Sequence, residues 1–276
     1  MRSLPKLRKL QSAMEYLMTY GWAILIIAVV MVALFALGIF DSANFAPKAQ
    51  AGACQVVRNV ESVTLQGQCQ GELPRYAAVF DSPSSYVSIP YSDIGGSITY
   101  SMWAKPTSPP NSWSLFSFMG TLIRISTGNI IFYPNVYTGN SLSISYTVPV
   151  NAWTSIIITQ NATDSNIYVN GILAGNSTIT APVDTASYTQ YIGGYFGASN
   201  WQGLISNVQI YNTSLSANDV QQLYLEGIGG APIDPLHIVG WWPLNGNAQD
   251  YSGNSNNGNP SSVSYTSSWT SGYTQP

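Results

Sequence analysis

Hydrophobic and polar positions divide the chain into two unlike parts. From Tyr16 to Phe40 there is no charged side chain and hardly a polar one. As a helix rising about 1.5 Å per residue, this run is roughly 37 Å long, enough to span a bilayer. No second run of this kind follows. From Tyr76 onward the pattern has period two, punctuated by Gly and Pro. The segments YVSIP (86–90), SITYSMWAKP (97–106), LSISYTVPV (142–150), WTSIIITQ (153–160) and NIYVNGILAG (166–175) read as strands. Asn170-Gly171 sits between two apolar runs and predicts a two-residue hairpin turn. One helix is predicted in this part. Ser216-x-x-Asp219 has the spacing of a capping box, Leu215 and Val220 that of a hydrophobic staple, and Gly227 can end the helix.

Charge sharpens this division. Only 8% of the 276 residues are charged. Arg2, Lys6, Arg8 and Lys9 all precede the apolar run, so the positive-inside rule keeps them cytoplasmic and sends the rest outward. The remainder holds five basic and 12 acidic residues, a net charge of −7. With no basic patch, nucleic acid is not an expected partner.

The two cysteines, Cys54 and Cys69, lie just beyond the apolar run. A disulfide between them would staple this neck, with a stabilisation of about 3 kcal/mol in the chain-entropy model. Sequons begin at Asn161, Asn176 and Asn212, which fits an exterior location. Chemistry for catalysis is sparse. His237 is the sole histidine, and Glu61, Glu72 and Glu226 stand apart, so no acid–base or nucleophilic constellation is suggested and an enzyme is not expected. Asp250, Asn254 and Asn256 form an oxygen-rich loop that would suit calcium, although an Asx-type turn explains the same residues. Trp103, Trp153, Trp241 and Trp242 fall in strand patterns and are expected in the core. Trp113, Tyr133, Tyr137, Tyr195, Phe196 and Trp201 fall in or near loop-like stretches. Of these, Trp113, Tyr137, Tyr195 and Trp201 are the candidates for stacking on a sugar face.

Two resemblances add to this reading. QSAMEYL (11–17), after a basic leader, resembles the class III signal peptides of archaeal type IV pilin-like proteins. That family implies removal of residues 1–10 by a prepilin peptidase, with Gln11 as the new N-terminus and Glu15 at its fifth position. Where the family has Gly or Ala before the cut, this sequence has Leu10. The resemblance also gives Glu15 a role: pairing with the freed amino group of a neighbouring Gln11 would offset the cost of a carboxylate at the membrane edge. A plain single-span anchor with an interfacial Glu15 is the alternative.

AAVFDSPSSYVSIP (77–90), SITYSMWAKP, WTSIIITQNATDSNIYVNGILAG (153–175) and WQGLISNVQIYNTSLSANDVQQLY (201–224) together resemble the laminin-G-like, concanavalin A-like jelly roll. The resemblance implies two packed antiparallel sheets and a family rich in carbohydrate- and protein-binding modules, often with calcium. VGWWPLNGNAQDYSGNSNNG (239–258) is similar to the first strand and loop of the same family, yet stands at the end of this chain. It is either a truncated second repeat or the strand of a circularly permuted domain. Permutation is favoured, because inserting the strand covers an apolar edge.

The expected organisation is a mainly β protein. Residues 1–10 form a leader, 11–40 a transmembrane or pilin-like helix, 41–75 a neck, and 76–276 a permuted jelly-roll sandwich in which 238–276 supplies the strand usually found first. The expected function is a surface or pilus-like adhesin, anchored in the membrane or assembled with other pilin-like subunits, that displays a module for glycans or proteins. A structural subunit that binds no ligand is the alternative.

Overall fold

The computed structural model describes residues 20–32, 55–59, 62–66, 73–90, 96–118, 120–179, 189–194 and 199–276. The chain divides into two compact units, Met1–Pro47 and Lys48–Pro276. In the first, helix α1 covers residues 20–32, and every one of these residues is exposed, including Trp22, Ile24, Leu25 and Ile27. Among the described residues no helix is long and apolar enough to cross a membrane. The remainder of the expected 11–40 helix lies outside the described residues, as do Leu10, Gln11 and Glu15.

The second unit opens with an antiparallel hairpin, β1 (Gln55–Asn59) against β2 (Ser62–Gln66), in which Gln55 faces Gln66. Cys54 and Cys69 flank this ladder and lie outside the described residues.

A sandwich of two antiparallel sheets follows. The eight-stranded sheet contains β3 (Ala77–Phe80), β5 (Ile98–Pro106), β10 (Thr154–Gln160), β11 (Ser165–Val169), β12 (Ile172–Ser177), β14 (Gly203–Tyr211), β15 (Ile238–Trp242) and β17 (Val263–Thr266). The seven-stranded sheet runs β16 (Asn259–Ser261), β4 (Tyr86–Ile89), β13 (Gln190–Ile192), β6 (Trp113–Phe118), β7 (Thr121–Ser126), β8 (Asn129–Asn135) and β9 (Asn140–Ser145). Helix α2 spans Ala217–Leu225.

Local signals act as expected. Asn170 and Gly171 both take positive φ, 49° and 75°, which lets Val169 face Ile172 across the tight turn. Ser216 and Asp219 cap α2 reciprocally, and Leu215 and Val220 are both buried beneath it. The stretch holding Trp113 and Tyr133 differs from the loop expected there: it folds into β6, β7 and β8. The apolar pattern of WSLFSF is interrupted by a bulge between Ser114 and Phe116, which hides the period of two.

The tail is woven into both sheets. β15 pairs with the second half of β14 on the side where β3 pairs with its first half, so the two strands lie end to end along one edge. β17 pairs with β3, and β16 pairs with β4 in the opposite sheet. Alternation along β15 sends its two tryptophans to different layers. Trp242 enters the core between the sheets, among Met102, Phe116 and Val208. Trp241 enters a second apolar layer, under α2, with Tyr211, Val220 and Leu223. A third cluster, with Trp103, Trp153, Ile228 and Trp269, is also built partly from the tail.

Candidate functional site

These outer clusters make the two faces of the sandwich unequal. β5 and β14 are buried along their whole length, because one face meets the core and the other is covered by α2 and the tail. Lys105 shows how tight this cover is. It is buried, its ammonium donates to the carbonyls of Trp269 and Ser271, and burial lowers its pKa. In the seven-stranded sheet β4 and β8 alternate instead, whereas Ser114–Ser117 of β6 and Thr121–Ile123 of β7 are buried in succession. In β8, Ile130 and Phe132 are buried while Ile131 and Tyr133 stay half-buried, and in β4 Val87 and Ile89 are buried while Tyr86 and Ser88 stay half-buried. The outer face of this sheet is therefore the candidate site.

Register sets which side chains share that face. One row runs Ser88, Tyr191, Ser117, Leu122, Tyr133, each opposite the next across the strands. The adjoining row holds Ser114, Arg124 and Ile131. Tyr86 and Tyr191 meet edge to face, with ring centroids 5.3 Å apart. The guanidinium of Arg124 lies over the ring of Tyr133, 5.8 Å from its centroid. Ser117 Oγ donates to the Gly194 carbonyl at 2.7 Å. Ser114 Oγ and Arg124 Nε are both buried without a hydrogen-bond partner. Such atoms are uncommon in folded proteins, since each carries its full desolvation cost.

The aromatic residues singled out from the sequence separate. Tyr137 is 74% exposed on a single 3-10 turn (Val136–Thr138) beside the end of β8. Its ring sits over Gly120, whose positive φ and missing Cβ leave the room. Trp113 is half-buried on β6 and meets Trp201 edge to face at 5.9 Å. Trp201 is fully buried in the central core and donates from Nε1 to the Leu204 carbonyl, so it presents no face to a ligand. Tyr195 and Phe196 lie outside the described residues. Trp103, Trp153, Trp241 and Trp242 are all buried, as their strand positions imply. Tyr86, Tyr191 and Arg124 escaped sequence reasoning. The strand alternation around Tyr86 was a usable signal for that residue alone.

Asp250, Asn254 and Asn256 do come together, in the loop after β15, with their polar groups turned to the backbone. Asp250 accepts from the Trp241, Ser252 and Asn256 amides and from Ser252 Oγ, at 2.8–2.9 Å. Asn254 and Asn256 donate from Nδ2 to carbonyls of Ile238 and Val239. This is the Asx-type capping arrangement, and it fastens the loop to β15. Among the described residues no group of three or more His, Cys, Asp or Glu side chains could hold a metal ion. His237 is paired with Asp234 at 2.7 Å on the surface, away from the tyrosine-lined face in sequence and sheet. Asn176 and Asn212 are exposed, and Asn161 is half-buried with its side-chain oxygen closing an Asx turn onto Thr163 and Asp164.

Comparison with known proteins agrees with this architecture. The chain is similar to the crystal structure of a protein from Bacteroides ovatus assigned to carbohydrate binding, at 18% identity and a TM-score of 0.59, over 70% of this chain and 60% of that one. It thus spans less than two thirds of that relative's length. It is also similar to the heptameric SAP-like pentraxin of Limulus polyphemus, at 14% identity and a TM-score of 0.51, over 70% of this chain and 95% of that one. At these identities the likeness is one of fold. No curated protein matches the sequence. The Laminin_G_3 family model, described as concanavalin A-like lectin/glucanases superfamily, matches residues 81–221, which is half of the chain. The chain therefore belongs to the laminin-G-like family of the concanavalin A-like lectin/glucanases superfamily.

Proposed function

We propose that this protein is a surface adhesin whose sandwich binds glycans on the outer face of its seven-stranded sheet. The observation that carries the reading is the inequality of the two faces. One is sealed by α2 and the tail, and the other presents Tyr86, Tyr191 and Tyr133 around small serines. Tyrosine rings offer flat apolar area for the C–H face of a sugar, and an arginine supplies orienting hydrogen bonds. Fold alone would not justify this, since the superfamily also contains enzymes.

The permuted arrangement belongs to this proposal. The matched family region ends at residue 221, whereas β15, β16 and β17 lie beyond it and still pair inside the sandwich. That pattern supports a tail standing in for the strand that usually opens the domain.

The N-terminal part is read as a class III leader and a pilin-like helix, with the sandwich outside the cell. A helix apolar on all sides needs lipid or other helices around it, and α1 is exposed throughout. This observation also favours a second reading, a filament subunit whose domain binds no ligand. A glycan array probed with the full chain in detergent micelles separates the two. Reproducible binding to a coherent set of glycans is expected, and an array without hits contradicts the adhesin.

A further inference from the structure

We infer that the ligand of this face carries an oxyanion, a sugar carboxylate or sulfate ester, held by Arg124 with Ser114 beside it; this rests on the glycan-binding reading above. Arg75, Lys105 and Arg124 are the basic residues of the chain beyond residue 72. Lys105 is spent on the tail carbonyls, and Arg75 lies against the ring of Tyr76. Arg124 alone stands in the middle of the tyrosine-lined face. Among the described residues no carboxylate is paired with it.

Three features suit Arg124 to an anion. Its Nε is buried and undonated, an expensive state for a charged group that an incoming acceptor would relieve. Directly across the strands, Ser114 is fully buried and its Oγ is also without a partner. An arginine fork and a hydroxyl on one face match the oxygens of a carboxylate or sulfate. Finally, the Tyr133 ring supports the guanidinium plane, which limits its rotamers and fixes the direction in which the fork can point. In a strand written TLIRIS, a surface arginine with no other task would extend into water instead.

The surrounding charge narrows the class further. From residue 73 to the end there are three basic and eight acidic residues. A densely sulfated polyanion would meet net repulsion, so a glycan with an isolated anionic group is the better fit. With a single cation engaged, salt should weaken binding only modestly.

The experiment uses the full chain in micelles and three oligosaccharides of matched length: neutral, uronic-acid-bearing and singly sulfated. At least one anionic sugar should bind at least about tenfold more tightly than the neutral one. Arg124→Gln should abolish this preference, Arg124→Lys should keep part of it, and Ser114→Ala should weaken it several-fold, all with unchanged melting midpoints. Should Arg124→Gln fail to fold, Arg124→Lys and Ser114→Ala carry the same comparison. Equal affinity for neutral and anionic sugars, or anionic preference surviving in the arginine variants, overturns the assignment while glycan binding stands. Binding to none of the three, together with an empty array, overturns both.

Discussion

Trp241 Nε1 donates to Asn207 Oδ1 at 2.8 Å, which ties the tail strand to the bulge in the middle of β14. Asn207 adopts the left-handed conformation, φ 49°, and is buried; its Nδ2 and the Nε2 of Gln209 both donate to the Gly230 carbonyl, and Tyr211 donates to Gln209. The tail thus completes a buried polar network as well as an apolar layer. Trp241→Phe should cost about 1–3 kcal/mol, read by denaturant unfolding, because it removes a donor from buried Asn207.

Removing residues 238–276 should be far more severe. Trp241, Trp242, Leu244 and Trp269 are each at most 2% exposed. Each contributes on the order of 1.5–3 kcal/mol of burial, against a typical total stability of about 5–15 kcal/mol. The truncated chain should aggregate or lose its thermal transition. An unchanged midpoint would mean that the tail is an appendage and not part of the sandwich.

Asp250 should matter for stability in the same way with and without calcium. Its two oxygens cap three amides and a hydroxyl, so Asp250→Ala should lower stability by roughly 1.5–3 kcal/mol. A chelator should leave the melting midpoint of the unaltered protein in place. A midpoint that rises with added calcium would show that the loop carries a cation.

Alkaline pH should unfold the protein through its tyrosines. Burial pushes the phenols of Tyr100 and Tyr211 well above their ordinary value, and raises Tyr146, Tyr168, Tyr265 and Tyr273 as well. These groups ionise near pH 10 once unfolded and later when folded. Their contribution is therefore complete below about pH 10 and is lost as pH climbs beyond it. Lys105 acts in the opposite sense: its lowered pKa means that stability gains slightly as pH approaches 10 from below. Stability should peak on the alkaline side and then fall, with phenolate absorbance rising in step with unfolding. Full tyrosine ionisation in a chain that is still folded would contradict the burial.

Processing tests the N-terminal reading. The mature protein should begin at Gln11, and Glu15→Ala should impair assembly more than insertion into the membrane. N-terminal sequencing that returns Met1 would remove the pilin-like interpretation.

Much of the fold could be read from the chain because local signals and burial agree there. Asn170-Gly171, the Ser216–Asp219 cap and the paired tryptophans of the tail each name a local geometry, and each forms. The candidate site was less legible. β6 hides behind its bulge, and Trp113 and Tyr133 consequently resembled loop residues. Arg124 carries no motif. Its meaning arises only when β6, β7 and β8 align and bring Ser114 and Tyr133 to it from residues ten before and nine after. Trp201 misled for the converse reason, since a tryptophan between Asn200 and Gln202 looks exposed until Gly193 and Leu204 enclose it.

The most direct measurement is a crystal structure of the protein with a glycan that it binds on the array. The sugar should lie on the outer face of the seven-stranded sheet, against Tyr191 and Tyr133, with its oxyanion at Arg124. A sugar bound at the Asp250 loop, or on the α2 side of the sandwich, would contradict the assignment of this face.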